Sequence, residues 1–215
     1  MFRVSDYMTN NPVTAEPSDK ISEVLDLMRL HNIHRVPVVN SKDELKGLIT
    51  EGMIAGQGNS ATSLSIHELN YLLSKTDVKT VMAKHVISIQ ESALMEEAAQ
   101  TMLNEDIGCL PVLNEGGKVV GILTQNDIFK AFLEMLAWNS KGTRIILDLS
   151  EDIGVLARLS GIIAAQNVSI KTLSAYGRHG SEVNLLLKTD GIAPESLKEA
   201  LDKENYSILE WENLS

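Results

Sequence analysis

The sequence contains two similar segments, and this internal repeat constrains the fold more than any other feature. Residues 7–54 align with residues 81–128 at a constant offset of 74, without a gap. In the window 33–50 against 107–124, six of eighteen positions are identical and five more exchange one aliphatic residue for another. Average composition predicts about one identity over that length. The chain therefore contains two copies of one structural unit.

Each copy predicts the element order β, α, β, β, α. The short β segments "PVTA" and "VISI" are followed by Ser18 and Ser92, which can cap a helix. Two short β runs joined by a polar turn come later, "RVPVV" to "LKGLIT" and "CLPVL" to "VVGILT", and a second helix follows. The apolar residues between cap and β runs recur at helical spacing: Ile21, Val24, Leu25 and Met28, then Met95, Ala98, Ala99 and Met102.

The segment between the copies predicts a linker that contains a helix. "AGQGNSATS" has the composition of a flexible stretch, and "SIHELNYLLSK" predicts a helix that links the repeats or packs on a partner. These boundaries give a first repeat at 1–55, a linker at 56–77 and a second repeat at 78–138.

A third segment, residues 143–215, has a different pattern. "TRIILDL" alternates as a strand, "IGVLARLSGIIAAQ" has helical spacing, and "VSIKTLSAY" and "EVNLLLK" predict a hairpin. Pro194 opens a second helix and "YSILEWE" predicts a last strand. The order β, α, β, β, α, β is that of a ferredoxin-like fold, so the whole chain is predicted to be mixed α+β.

Composition and charge exclude several classes of function. A net charge of -10 argues against coating nucleic acid or an anionic membrane surface. No apolar run approaches the ~20 residues that span a bilayer, and the first residues lack the order of a signal peptide, so we expect a cytoplasmic protein. Cys109 is the single cysteine, which excludes an intramolecular disulfide and a cysteine zinc cluster. We find no catalytic motif and no metal-ligand spacing, and no required cofactor is expected.

The repeats resemble a CBS-domain pair over roughly residues 1–138. The similarity is carried by "VPVVN…LKGLIT" and "LPVLN…VVGILTQND". The resemblance implies tandem CBS repeats that bind an adenosine-containing ligand, such as AMP, ADP, ATP or S-adenosylmethionine, in clefts between them. It also implies a protein that regulates other proteins and is not itself an enzyme.

The third segment resembles an ACT domain, through "EDIGVLARL" and the following "NVSI". Glu151 replaces the aspartate of that family's pattern and Ile153 replaces its proline. The resemblance places Gly154 and Asn167 nearest any ACT ligand. A CBS pair followed by an ACT domain is similar to the bacterial acetoin-utilisation regulatory proteins, in which dimers prevail. This similarity implies a homodimer that acts on an unknown target protein and a role in the control of acetoin or related carbon metabolism.

Thr124 and Asp127 in "GILTQNDIF" allow two interpretations. Their spacing is that of a helix N-terminal capping pair, which needs no ligand. A strand that runs into a helix N-terminus also presents donors to a phosphate, and the CBS resemblance assigns ribose recognition to Asp127 and phosphate recognition to Thr124. The first repeat keeps Thr50 but has Met53 in place of the acid. We therefore expect one complete nucleotide site and one degraded site.

The resemblance also assigns positions to both clefts. With Thr124 and Asp127, the main cleft would use Met8, Val13, Thr14, Ile33, His34 and Arg35, the last two toward phosphate. The weaker cleft would use Thr50, Met82, Ile87, Ile107 and Leu110, for which core packing is the alternative explanation. A surface histidine is the alternative for His34.

Three functional hypotheses remain at this point. The first is a regulatory sensor that binds an adenine nucleotide or adenosyl ligand between the repeats. The second is a structural module for dimerisation or docking on a partner enzyme, without nucleotide binding. The third, an enzyme, would need a catalytic constellation that the sequence does not contain.

Overall fold

The computed structural model describes residues 2–59, 66–150, 152–179 and 182–214. The chain divides between Ile128 and Phe129 into two compact units, which are described separately. No helix in these ranges is both long and apolar enough to cross a membrane.

The N-terminal unit contains the two repeats. Its helices are α1 (Val4–Tyr7), α2 (Ile21–His31), α3 (Glu51–Asn59), α4 (Ile66–Lys75) and α5 (Met95–Asn104), with a 3-10 turn at Val78–Thr80. Its strands are β1 (Thr9–Asn10), β2 (Arg35–Val39), β3 (Leu45–Thr50), β4 (Ile89–Gln90), β5 (Cys109–Leu113) and β6 (Val119–Thr124). Helix α6 (Gln125–Met135) begins in this unit and continues across the division.

The two repeats exchange strands with each other. β1 of the first repeat pairs antiparallel with β6 of the second, so that Thr9 lies opposite Ile122. The equivalent bridge joins Ala83 of the second repeat to Leu48 of the first. In the repeat alignment Thr9 corresponds to Ala83, and Leu48 corresponds to Ile122, so the two pairings are equivalent. The unit therefore has an internal pseudo-twofold relation. Neither repeat completes its sheet without the other.

Two glycines permit this exchange, and they are equivalent in the repeat. A Cβ atom on Gly47 would lie 2.6 Å from Sδ of Met82 and 2.7 Å from the carbonyl oxygen of Ala83. A Cβ atom on Gly121 would collide with Sδ of Met8 and lie 3.2 Å from the carbonyl oxygen of Thr9. The exchanged segment and its methionine therefore occupy the space that a side chain would need.

The predicted helices are present, but their predicted serine caps are wrong. Helix α2 begins at Ile21 and α5 at Met95, each three residues after its serine, whereas a capping residue directly precedes the helix. The backbone N–H of Lys20 donates to the Glu23 carboxylate at 3.0 Å. In the second repeat, the backbone N–H of Leu94 donates in the same way to the Glu97 carboxylate. In both helices, therefore, an acid of the first turn accepts a bond from the N–H of the residue that precedes the helix, and the cap residue is Lys20 or Leu94 in place of a serine.

The predicted helical faces form the core of each repeat. In α2 the residues Ile21, Val24 and Met28 are buried, and Leu25 packs against them partly buried. In α5 the residues Met95, Ala98 and Met102 are buried. The spacing read from the sequence therefore identified the packed faces correctly.

The expectation of a flexible stretch after the first repeat is wrong for part of its length. Residues 55–59 continue α3, whose Ile54 is buried in the first repeat's core. Propagating a helix that has already started adds one hydrogen bond per residue, which offsets the weak helix propensity of Gly56 and Gly58. Helix α4 follows as predicted, whereas Ser65 lies outside the described residues.

The C-terminal unit has the predicted ferredoxin-like order. Its elements are β7 (Gly142–Ser150), α7 (Val155–Ala165), β8 (Ile170–His179), β9 (Glu182–Thr189), α8 (Glu195–Lys203) and β10 (Ser207–Leu214). The strands form one antiparallel sheet in the order β10-β7-β9-β8. Alternate residues of β7 and β9 pack against Leu159 and Ile163 of α7 and Leu197 and Leu201 of α8, so both helices cover one face. The mixed α+β fold class is confirmed.

A buried lysine in this unit holds the end of α6. Lys188 on β9 is 1% exposed, and its ammonium donates to the carbonyl oxygens of Ala137 at 2.7 Å and Trp138 at 3.1 Å. Thr172 on β8 donates to the carbonyl oxygen of Met135 at 2.8 Å. Burial lowers the pKa of the Lys188 ammonium. A cation at this point matches the partial negative charge of a helix C-terminus.

A charged cluster joins the start of α2 to the start of the second repeat. The Lys20 ammonium lies 2.5 Å from one Asp77 oxygen, and the Lys79 ammonium lies 2.9 Å from the other. Hydrogen bonds from Lys20 and then from Lys79 lower the pKa of Asp77 from its usual 3.8 to about 2.

Replacing Gly121 with alanine should destabilise the N-terminal unit by about 1–3 kcal/mol, because Met8 or the exchanged strand must move. Urea unfolding measures the change. Gly56→Ala is the matched control, since a Cβ there meets nothing within 4 Å and alanine is the better helix former. Equal effects of the two substitutions would contradict the close-approach explanation.

The Asp77 cluster should make stability depend on pH in a defined window. Since the folded pKa is depressed, the stabilisation is fully present above about pH 4 and is lost as the pH falls toward 2. Unfolding free energies measured across this range should show wild type and Asp77→Asn converging as the pH falls. Two parallel curves would show that Asp77 has no depressed pKa.

Candidate ligand-binding cleft

A cavity of about 390 Å³ lies between the two repeats. The first repeat lines it with two segments, and the second repeat contributes the end of β6 and the start of α6. The lining residues are Thr9, Asn11, Pro12, Val13, His31, Asn32, Ile33, His34, Arg35, Ile122, Thr124 and Asn126. The volume is at the small end of the range for small-molecule sites.

The turn from α2 to β2 forms one wall. Helix α2 ends at His31, and Asn32 takes a left-handed conformation with φ of 50°. The N–H of Ile33 then donates to the carbonyl oxygen of Met28, which closes the helix end. This turn places His34 and Arg35 at the start of β2, beside the cavity.

The opposite wall contains the junction of β6 and α6, where Thr124 and Asp127 contact each other directly. One carboxylate oxygen of Asp127 accepts hydrogen bonds from the Thr124 N–H at 2.9 Å and from the Thr124 hydroxyl at 2.7 Å. Asp127 is only 6% exposed. This arrangement is an N-terminal helix cap, one of the two interpretations that the sequence allowed.

The equivalent junction in the first repeat is capped differently. The Thr50 hydroxyl accepts a hydrogen bond from the N–H of Met53 at 3.2 Å. Glu51 at the start of α3 lies 2.7 Å from Nδ1 of His34. Thus each repeat has a threonine at the strand end, but only the second adds a carboxylate at the position of Asp127.

The cavity brings together five of the eight residues predicted for the main cleft: Val13, Ile33, His34, Arg35 and Thr124. The other three lie elsewhere in the described chain. Met8 is buried against Gly121, Thr14 is exposed, and Asp127 lies behind the lining, bound to Thr124.

The sequence reasoning missed seven lining residues, and two of them left a signal. Asn11 and Asn32 have φ of 47° and 50°, the left-handed region in which asparagine is enriched. Asparagine before proline in "NNPV" and after the helix in "LHNI" therefore marks the two turns that approach the cavity. The remaining five are Thr9, Pro12, His31, Ile122 and Asn126.

The residues assigned to the weaker cleft differ in their burial and in what they contact. Leu110 is fully buried in the core and Met82 packs against Gly47. Ile107 is half-buried, and Ile87 is exposed. Thr50 caps α3 through Met53. For Leu110, core packing explains the burial without a ligand.

Arg35 reaches from the first repeat toward the second. Its Nη2 atom lies 2.9 Å from the position that a Cβ on Gly108 would occupy, so the absence of a side chain there makes room for the guanidinium. Burial raises the pKa of the Cys109 thiol, and the nearby Arg35 charge acts in the opposite direction. Among the described residues, no three histidine, cysteine or acidic side chains are grouped to hold a metal ion.

The two positions predicted for an ACT ligand lie at opposite ends of α7. Gly154 precedes the helix with φ of 83°, and Asn167 follows it with φ of 57°. An eleven-residue helix is about 16 Å long. One copy of the chain therefore does not bring them together. Ile153 is fully exposed beside Gly154, and Glu151 lies outside the described residues.

Two repeats that exchange sheet segments and enclose a cavity between them define a tandem-repeat architecture. The model of the CBS domain family matches residues 4–56 and 78–134, just over half of the chain. The chain belongs to the CBS domain family, and its two repeats form a CBS pair.

Known relatives and structures match this same region. The uncharacterized protein MJ1225 of Methanocaldococcus jannaschii is 28% identical over 133 residues, which cover 59% of this chain and 48% of that protein. The CBS domain pair of protein MJ0100, solved with 5′-methylthioadenosine and S-adenosyl-L-methionine, superimposes with TM-score 0.52 at 28% identity, covering 60% of this chain and 98% of that one.

A third match is to a protein assigned to acetoin utilization (AcuB) from Vibrio cholerae. It superimposes with TM-score 0.54 at 27% identity and covers 65% of this chain and 96% of that one. The chain spans less than two thirds of the length of the curated relatives it matches: 48%, 61% and 23% for three of them.

Removing the Thr124 hydroxyl should destabilise the protein more than removing its counterpart. Thr124→Val deprives the nearly buried Asp127 carboxylate of a charge-assisted bond, at about 1.5–3 kcal/mol, whereas Thr50→Val loses a neutral bond of about 1 kcal/mol. Urea unfolding of both variants, with Thr124→Ser as a conservative control, measures the difference. A larger effect at Thr50 would contradict this assignment of the cap.

Proposed function

We propose that the CBS pair is a regulatory sensor that binds one adenosine-containing ligand in the cleft between its repeats. Candidate ligands are AMP, ADP, ATP and S-adenosylmethionine. The observation that carries the proposal is the cavity of about 390 Å³ that ends at the Thr124–Asp127 junction. The complex of the similar MJ0100 pair with two adenosyl compounds supports the ligand class.

The proposed binding mode follows from the chemistry of the walls. Val13, Ile33 and Ile122 offer apolar surface to an adenine ring. The Asp127 carboxylate would accept hydrogen bonds from ribose hydroxyls, and these would compete with the bond from the Thr124 hydroxyl. The threonine hydroxyl would then be released to donate to the ligand. Binding would thus exchange an internal cap for contacts to the ligand.

Regulation requires that the ligand binds one arrangement of the protein better than another. Because the first repeat has Met53 where the second has Asp127, we propose one complete site and one degraded site per chain. A change in the arrangement of the protein would then start from ligand binding at one site only. The degraded site would be the one formed by Thr50, Met82, Ile87 and Ile107.

The proposal extends to the C-terminal unit. We infer an ACT domain, from its ferredoxin-like strand order and the "DIGVLARL" and "NVSI" motifs. It would hold a homodimer together or respond to a second metabolite near Gly154 or Asn167. The similar Vibrio cholerae protein supports a role in acetoin or related carbon metabolism, in the cytoplasm and through a target protein that is still to be found. No residue is assigned a catalytic role.

A second candidate function is docking or dimerisation without nucleotide binding. One observation favours it: Asp127 is already bound to Thr124, so the helix cap is complete without a ligand.

Calorimetry and thermal shift with AMP, ADP, ATP and S-adenosylmethionine separate the two functions. A ligand that binds only the folded state raises the melting temperature by mass action. Asp127→Ala should weaken binding by about tenfold or more, since a ribose loses bonds to a charged acceptor. Met53→Ala at the equivalent position should leave affinity unchanged. If wild type binds none of these compounds, docking is the better function, and equal binding by wild type and Asp127→Ala would remove Asp127 from the site.

A further inference from the structure

A second cavity, of about 280 Å³, lies within the C-terminal unit. The end of α6 and the turn after it contribute four apolar side chains to its lining, and β9 and β10 contribute one leucine each. The other two lining residues that the structure describes are cations, Arg144 on β7 and Lys188 on β9. No acidic side chain is among the described lining residues, although the chain has a net charge of -10.

The sheet places these two cations side by side. Arg144 and Lys188 lie directly opposite each other in the antiparallel register of β7 and β9. Their chain neighbours Ile145 and Leu187 pack against α7 and α8, so alternation along the strands directs both cations to the other face of the sheet. Like charges at directly opposed positions destabilise a sheet. The fold therefore maintains an unfavourable pair of charges at an apolar cavity, and a bound anion would relieve it.

Lys188 is the cation of this pair that has no acidic partner. Arg144 forms an ion pair with the exposed Glu210, whereas Lys188 is only 1% exposed and takes part in no ion pair among the described residues. Two of its three N–H groups donate to the carbonyl oxygens of Ala137 and Trp138, and the described residues supply no acceptor for the third. A buried cation without a counter-ion is costly. Burial accordingly lowers the pKa of this ammonium.

We propose that this cavity binds a small apolar monocarboxylate, whose carboxylate is held by Lys188 and Arg144. The apolar lining suits a hydrocarbon body, and a guanidinium matches the geometry of a carboxylate. The two cations disfavour an α-ammonium group, so the ligand is not an amino acid. This site is separate from the adenosine cleft. It is also separate from Gly154 and Asn167, which flank α7 on the other face of the sheet.

Three compounds with the same branched hydrocarbon chain test the ligand class: 4-methylpentanoate, 4-methyl-1-pentanol and leucine. The alcohol lacks the carboxylate, and leucine adds an α-ammonium group to the acid. Trp138 lines the cavity and Trp211 packs on the other face, so Trp211→Phe leaves Trp138 as the single tryptophan for fluorescence titration of the full chain. We expect 4-methylpentanoate to change the Trp138 emission and to bind about tenfold or more tightly than either of the other compounds.

Variants in this Trp211→Phe background test the charges. Arg144→Gln should weaken the binding of 4-methylpentanoate about tenfold, and Glu210→Gln should strengthen it about threefold or more, because it frees the guanidinium for the ligand. Lys171→Gln and Asp190→Asn are the matched controls. They make the same changes in net charge at an ion pair of this unit outside the cavity, and they should leave the affinity unchanged.

Lys188→Met keeps an unbranched stem without the charge, and it should weaken the binding of 4-methylpentanoate at least tenfold. Because Lys188 also holds the end of α6, circular dichroism and urea unfolding establish first that this variant is folded. If it does not fold, the opposite effects expected for Arg144→Gln and Glu210→Gln decide the outcome.

Preference for 4-methylpentanoate, together with opposite effects of Arg144→Gln and Glu210→Gln, supports the proposal. Absence of binding, equal affinities for the acid and the alcohol, or effects of the same size at the Lys171–Asp190 pair overturn it. Leucine that binds as tightly as 4-methylpentanoate also overturns it, in favour of an amino-acid site. None of these results bears on adenosine binding by the CBS pair, which titration of the same proteins with AMP measures separately.

Discussion

The exchange of strands between the repeats is the interaction on which the N-terminal unit depends. β1 completes the sheet of the second repeat, and the bridge at Ala83 completes that of the first. Both pairings need a glycine, Gly47 or Gly121, because the incoming backbone and its methionine fill the space of a side chain. The main cleft follows from this exchange, since the segment after β1 becomes one of its walls. The same exchange thus completes the sheets and forms a wall of the cleft.

Much of this architecture was predictable because the same sequence pattern occurs in both repeats. The 74-residue offset and the helical spacing of Ile21, Val24 and Met28 identified the units and their packed faces. Strand exchange was not predictable, because a two-residue strand such as Thr9–Asn10 has no periodicity to read. The serine caps were wrong because the helix begins later than Ser18 requires, at Ile21, with Lys20 at the cap position and its N–H bonded to Glu23.

The candidate site was predictable in part for similar reasons. Thr124, His34 and Arg35 could be placed by similarity, and the structure brings them to one cavity. His31 and Asn126 could not, because whether a residue near a helix end faces a cleft depends on the local turn geometry. The orientation of Asp127 toward Thr124 depends on the same helix start, and both interpretations of "TQND" require identical spacing. Local sequence alone cannot separate a cap from a ligand contact when the same atoms serve both.

The buried lysine at the end of α6 limits how freely the two parts of this chain could be recombined. Lys188, on the third strand of the ferredoxin-like unit, donates to the carbonyl oxygens of Ala137 and Trp138, and the Ala137 oxygen also accepts bonds from the N–H and hydroxyl of Ser140. A different C-terminal domain joined after this helix would have to bring its own donor or leave the Trp138 carbonyl to water. A boundary for exchanging the ferredoxin-like unit therefore lies before the end of α6, because Ala137 and Trp138 are bonded within that unit.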